Sequence, residues 1–229
     1  MDGILLIDKP KGLTSHQVVA IVRHQLGIKK VGHAGTLDPL ATGLLVVMVG
    51  KATKLSNQLT GQFKVYEAEM KLFQTTDTGD LAGTIINQQK PQNFTLSQVQ
   101  TALDFFNNYT YWQTPPLYSA IKIKGKKLYE YARQGLKVEI PPREVIISSL
   151  KLVEYNPLEG KIKLITECSK GTYIRSLVQD IAQKLGTIAT LSQLRRVSSG
   201  SFHLSQAINL TEVNQAKIQS FDKLGKNLL

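Results

Sequence analysis

What this chain lacks narrows its chemistry first. A single cysteine, Cys168, excludes an internal disulfide, and no CxxC or HxE pair is present, so the zinc arrangements that drive many base-modifying enzymes are missing. His16, His24, His33 and His203 are not at ligand spacing, so neither a metal nor a metal-based cofactor is expected. No apolar run reaches the eighteen or so residues that span a bilayer. The opening "MDGILLIDKPKG" has an acidic second residue and too short an apolar core for a signal peptide, so a cytoplasmic location is expected. No GxSxG elbow or Cys–His motif supports a hydrolase. "GLLVVMVGKAT" looks like a phosphate-binding loop, but its glycines are too far apart and Ala52 stands where magnesium needs a hydroxyl.

Acidic residues are also scarce. The 229 residues carry 17 Asp and Glu against 28 Lys and Arg, a net charge of +11, which favours a polyanionic partner: RNA, DNA or anionic lipid. With 42% hydrophobic residues at this length, one main core is expected, and the chain reads as a single domain over 1–229.

"GLTSHQVVAIVRHQLGI" predicts a helix capped by Thr14, with Gln17 completing a capping box, Leu13 stapling onto Val18 and Gly27 ending it. "LLVVMV" predicts a strand buried on both faces. "KVYEAEMKLF" alternates, with Tyr66, Ala68, Met70 and Leu72 inward and Glu67, Glu69 and Lys71 outward. "TTDTGDLAG" reads as a turn, "TLSQVQTALDFF" as a helix boxed by Thr95 and Gln98, and "KIKLITEC" as another strand. "SKGTYIRSLVQDIAQKLG" is a helix with Ile174, Leu177, Val178, Ile181, Ala182 and Leu185 on one face. Beyond Leu210 at most one short helix is expected, in "TEVNQAKIQSF". Strands and helices interleave without a βαβ rhythm, which favours an α+β fold with a mixed, mostly antiparallel sheet.

Residues 114–143, bracketed by Pro115-Pro116 and Pro141-Pro142, interrupt that pattern. Seven basic residues, at 122, 124, 126, 127, 133, 137 and 143, face two acidic ones, Glu130 and Glu139. Tyr118, Tyr129 and Tyr131 are interleaved with them, a mixture suited to phosphate contacts and stacking on unpaired bases. Concentrated charge of this kind points to nucleic acid more than to a solvated loop.

Asp38 in "HAGTLDPLATG" has two readings. Asp-Pro is a common helix start, with the carboxylate as N-cap. Here, however, the buried strand follows within a few residues, which leaves room for one helical turn at most and frees the carboxylate at a strand mouth. Arg175 falls in the first turn of its helix, where the macrodipole disfavours a cation by about 0.3–1 kcal/mol, so something anionic should compensate it. Asp38 would serve, and its own ionised form would be favoured in return; a surface arginine paired with Asp180 or with solvent is equally open. Position alone makes Tyr66 a core tyrosine and His33 a loop histidine.

Four stretches in order, "LLIDKPKGLTS", "VGHAGTLDPLATGLL", "KGKKLYEYARQG" and "CSKGTYIRSL", with "LRR" behind them, resemble the bacterial tRNA pseudouridine-55 synthases of the TruB type. The resemblance implies the pseudouridine synthase fold, with helices flanking the central sheet, and a cofactor-free isomerase that breaks the N1–C1′ bond of a T-loop uridine in tRNA. It rejoins the flipped uracil through C5. The resemblance makes Asp38 the essential aspartate, Tyr66 the tyrosine beside the base, Arg175 the arginine paired with Asp38, and Leu194 an apolar contact to the uracil. His33 would help hold the opened T-loop, and the 114–143 insertion, with Lys124, Lys126, Lys127 and Tyr129, would clamp the T-arm. Whether Asp38 attacks C1′ or C6, or stabilises an elimination, stays open. A monomer without the family's usual C-terminal PUA domain is expected.

Overall fold

The protein, described by a computed structural model over residues 2–136 and 138–220, folds as two compact units. One comprises residues 1–67 and 193–229, the other residues 68–192.

The first unit opens with β1 (Gly3–Lys9) and α1 (Ser15–Leu26). Thr14 and Gln17 form the predicted capping box, and Gly27 ends the helix in the left-handed region at φ 66°. β2 (Val31–Ala34) and β3 (Thr42–Val49) follow. Two elements that periodicity did not reveal, a 3-10 turn over Gly50–Leu55 and α2 (Ser56–Gly61), then lead into β4 (Lys64–Leu72). The unit boundary falls within β4.

The second unit contains the β5 (Gln74–Thr76) and β6 (Ile85–Gln88) hairpin, α3 (Leu96–Asp104) and β7 (Tyr109–Gln113). Next come β8 (Lys122–Ile123), β9 (Lys126–Lys127) and α4 (Leu128–Arg133), then the long antiparallel pair β10 (Arg143–Asn156) and β11 (Lys161–Cys168). α5 (Ile174–Leu185) ends at Gly186, φ 84°. The chain returns to the first unit within β12 (Ala189–Ser199) and adds β13 (Phe202–His203), β14 (Ile208–Asn209) and β15 (Gln219–Ser220).

In the first unit the strand order is β14–β1–β3–β12, with β1 antiparallel to β3 and β12 parallel to it. β3 is buried on both faces, as its unbroken apolar run predicts. Leu45, Val47 and Val49 pack with Leu5, Ile7 and the Val18–Val19–Val22–Leu26 stripe of α1. Leu44, Val46 and Met48 pack on the other side with Ile4, Leu6, Leu59 and Phe202. Each such side chain contributes about 1.5–3 kcal/mol on burial, so the strand that follows Asp38 is among the most firmly seated in the unit. In the second unit the order is β4–β11–β10–β7, with α3 and α5 flanking.

One expectation changes. Glu69, predicted outward, is buried because Ser192 donates to its Oε1 at 2.8 Å. The stretch beginning at Leu210, with room for at most one short helix, forms two 3-10 turns, Leu210–Glu212 and Gln215–Lys217, followed by β15; Phe221 lies outside the described residues. The stretch buries little beyond Val213, and Asn214 takes the Ala216 N–H into a side-chain cap that starts a new turn.

Candidate active site

Asp38 sits in the loop between β2 and β3, half-buried, and caps no helix. Its carbonyl accepts from the Ala41 N–H at 3.1 Å, closing a single turn. The loop is held from three directions. Ser15, buried at the start of α1, accepts from Leu37 N–H at 2.8 Å and donates to Leu37 O at 3.1 Å. The Gly12 N–H donates to Pro39 O at 2.8 Å, and Lys9 Nζ, fully buried, donates to Leu13 O at 2.6 Å and Pro10 O at 2.9 Å and reaches Pro39 O at 3.5 Å.

The third restraint is Arg196, also fully buried. Its Nη2 donates to Gly35 O at 3.0 Å and its Nε to Leu44 O at 2.7 Å, so one guanidinium spans the entry and exit of the Asp38 loop. Its Nη1 has no hydrogen-bond partner among the described residues. Gly43 must be glycine here, since its φ is +96° and a Cβ would stand 2.4 Å from Arg196 O.

Burial holds Lys9 down at about pKa 8; the neighbouring Asp38 carboxylate opposes that shift and Arg196 reinforces it. Asp38 thus shares its loop with buried positive charge.

His33 lies on β2 and meets His16 edge-on, ring centroids 5.2 Å apart. Its Nδ1 is buried with no hydrogen-bond partner among the described residues. Burial, then His16 and Arg196, push its pKa down to about 4, so the ring is neutral at physiological pH and suited to stacking rather than to phosphate pairing. Tyr66 on β4 and Leu194 on β12 are buried. The two buried cations at this loop were invisible to motif reading except as oddities: Lys9 ending an apolar strand, and Arg196 on the inward side of β12.

In the second unit Arg175 is the second residue of α5 and 4% exposed. Nη1 donates to Thr78 O at 2.7 Å, Nη2 to Tyr118 O at 3.0 Å, and Nε lies 3.9 Å from Asp80 Oδ2. The "TTDTGDLAG" turn therefore supplies an anionic neighbour of the kind its place in the dipole requires. Asp180 is not that neighbour but accepts from the Tyr111 hydroxyl at 2.9 Å, and burial raises both pKa values. Gln113 fixes the start of α5, accepting from Tyr173 N–H at 2.8 Å and donating to Tyr173 O at 3.2 Å.

The insertion is a folded element. β8 and β9 pair across a tight turn in which Lys124 (φ 50°) and Gly125 (φ 81°) are both left-handed, and α4 follows directly. Lys127 and Arg133 lie over the Tyr129 ring, each 5.4 Å from its centroid, and Lys126 lies over Tyr131 at 4.8 Å. Lys137, one of the seven basic residues, lies outside the described residues.

Solved structures with this fold include the crystal structure of a Cbf5–Nop10–Gar1 complex, matched with a TM-score of 0.71 at 29% identity over 92% of this chain and 53% of that one. A structure of an H/ACA RNP bound to a substrate RNA matches at 0.67 and 27%, over 92% and 51%. This chain thus spans about half the length of those solved chains. The fold is that of a pseudouridine synthase. Residues 23–174 match the profile of the TruB family pseudouridylate synthase N-terminal domain, and residues 175–228 that of the tRNA pseudouridylate synthase B C-terminal domain. The tRNA pseudouridine synthase B of Mesoplasma florum is 45% identical over 97% of this chain and 77% of its own length. That of Geobacillus thermodenitrificans is 47% identical over 94% and 72%. The chain belongs to the TruB family of pseudouridylate synthases, isomerases that act on uridine in tRNA.

Proposed function

We propose that the uridine is that at position 55 in the T-loop of tRNA, and that Asp38 carries the chemistry. N1–C1′ breaks, the uracil turns, C5–C1′ forms, the C5 proton is lost to solvent and N1 gains one. The overall change is an isomerisation. The target base must leave its stack, at a cost of a few kcal/mol that contacts elsewhere offset. Asp38 acts at C1′ or C6, or on the developing charge of an elimination; Tyr66 carries the proton; Arg175 keeps the carboxylate ionised; Leu194 lines the base and His33 stacks in the opened loop. Lys124, Lys126, Lys127 and Tyr129 contact the T-arm. The protein works in the cytoplasm as a monomer.

The observation that carries this reading is the pinned loop: a half-buried carboxylate spared from helix capping, on a segment held by Ser15, Lys9 and Arg196. Preorganisation of this kind is what a group acting only in the transition state needs. The test uses a tRNA transcript with 5-tritiated uridine and the purified protein alone. Release of one equivalent, lost when U55 is replaced by cytidine, supports the reading. Unchanged release from the substituted transcript, or release only after a guide RNA is added, overturns the assignment of the site.

A further inference from the structure

The basic insertion leaves the sheet at the end of β7 and returns at the start of β10, where Gln113 pairs with Arg143. One residue before that root stands Trp112, the chain's single tryptophan, 67% exposed. β7 is the edge of its sheet. Tyr109 and Tyr111, on the other side of β7, pack against Phe105 and Phe106. Trp112 alternates to the open side, beside Ile146, itself 39% exposed, and opposite Glu144. No ring, cation or hydrogen-bond partner engages it among the described residues. The tyrosines of the insertion are each engaged: cations lie over Tyr129 and Tyr131, the Tyr131 hydroxyl donates to Ile123 O at 3.0 Å, and the Tyr118 hydroxyl donates to Asp77 Oδ2 at 3.5 Å.

Trp112 is thus an exposed, unengaged aromatic face at the foot of a segment whose described residues carry Lys122, Lys124, Lys126, Lys127, Arg133 and Arg143 against Glu130 and Glu139. The phosphates such a segment attracts bring bases with them, and a base face stacks on an open indole with little regard to sequence. Glu144, directly opposite, disfavours a phosphate at that point and leaves the uncharged base as the fitting contact.

We propose that Trp112 is a nucleobase-stacking platform that takes an unpaired base of the RNA substrate other than the uridine that reacts. This rests on the RNA-modifying reading above. The platform extends the insertion's grip from phosphates to a base and fixes how the RNA lies along it.

The lone tryptophan makes a direct test. Trp112 emission is followed while an unmodified tRNA transcript is added; affinity is measured by anisotropy of labelled transcript, and tritium release in parallel. A saturable quench with the anisotropy midpoint, loss of acrylamide access, a roughly 5- to 100-fold weaker Kd in Trp112→Ala and a Kd within about threefold of wild type in Trp112→Phe support the proposal. Transcript that binds and turns over with emission unchanged overturns it while sparing the RNA-modifying reading. So does a dimer in sedimentation that Trp112→Ala dissolves, which assigns the face to a second copy of the chain. Neither binding nor tritium release would defeat both.

Discussion

Replacing Arg196 by methionine tests the idea that the Asp38 loop is held, not merely placed. The substitution keeps an unbranched apolar stem and removes two charge-assisted hydrogen bonds, to Leu44 O and Gly35 O. Each is worth about 1.5–3 kcal/mol, and the two carbonyls would be left without their donors. Against that stands relief from burying a guanidinium whose Nη1 has no partner. The net loss expected is about 3 kcal/mol, or about 6–12 °C in Tm for a chain of this size. Urea denaturation of wild type, Arg196→Met and Arg196→Lys reads it; lysine reaches one carbonyl but not both, so its loss should be intermediate. At a temperature where all three are folded, single-turnover tritium release at saturating tRNA should follow the same order. A methionine variant within about 0.5 kcal/mol of wild type would refute the clamp. A large stability loss with an unchanged single-turnover rate would refute its bearing on Asp38.

Gly43→Ala forces a Cβ to within 2.4 Å of Arg196 O at φ +96°; strain of about 1–3 kcal/mol is expected from the backbone conformation alone, with the steric overlap added, and thermal denaturation should show a lower Tm than Gly12→Ala, where a Cβ meets nothing. Lys9 has a folded pKa of about 8 against an ordinary 10.5. Between those values the unfolded chain holds the proton and the folded chain has released it, so stability rises with pH there, by up to about 1.4 kcal/mol per pH unit, and not below pH 8. Denaturation at pH 7, 8.5 and 10 should show that rise in wild type relative to Lys9→Met; parallel curves would remove the buried charge from the account. Replacing Lys124, Lys126 and Lys127 together with alanine should weaken tRNA binding and flatten the slope of log K against log salt by up to about three, and an unchanged slope would take the insertion off the phosphates.

Local signals were the legible part of the fold. The boxes at Thr14 and Thr95, the glycine stops at 27 and 186 and the two-sided burial of β3 follow from sequence because each is decided within a few residues. The inward turn of Glu69 was not legible, since it depends on Ser192, far along the chain. Periodicity also missed β7 and β10, whose exposed Trp112, Ile146 and Val153 blur the alternation. In the site, Asp38 stood out through its loop context, while its supports did not. A lysine and an arginine in strands look like ordinary surface charge until Lys9 meets Pro39 and Arg196 meets Gly35. The insertion's charge was readable from composition, but not that Tyr129 and Tyr131 are already covered by its own cations.

Asp38→Asn tests the central claim most directly. The amide keeps the size and most of the hydrogen-bonding shape of the carboxylate while removing its charge and nucleophilicity. With tRNA affinity and the circular dichroism spectrum unchanged as controls, tritium release from 5-tritiated uridine should drop to background over hours at saturating enzyme. Release by the asparagine variant within about tenfold of the wild-type rate would contradict the assignment of the chemistry to this side chain.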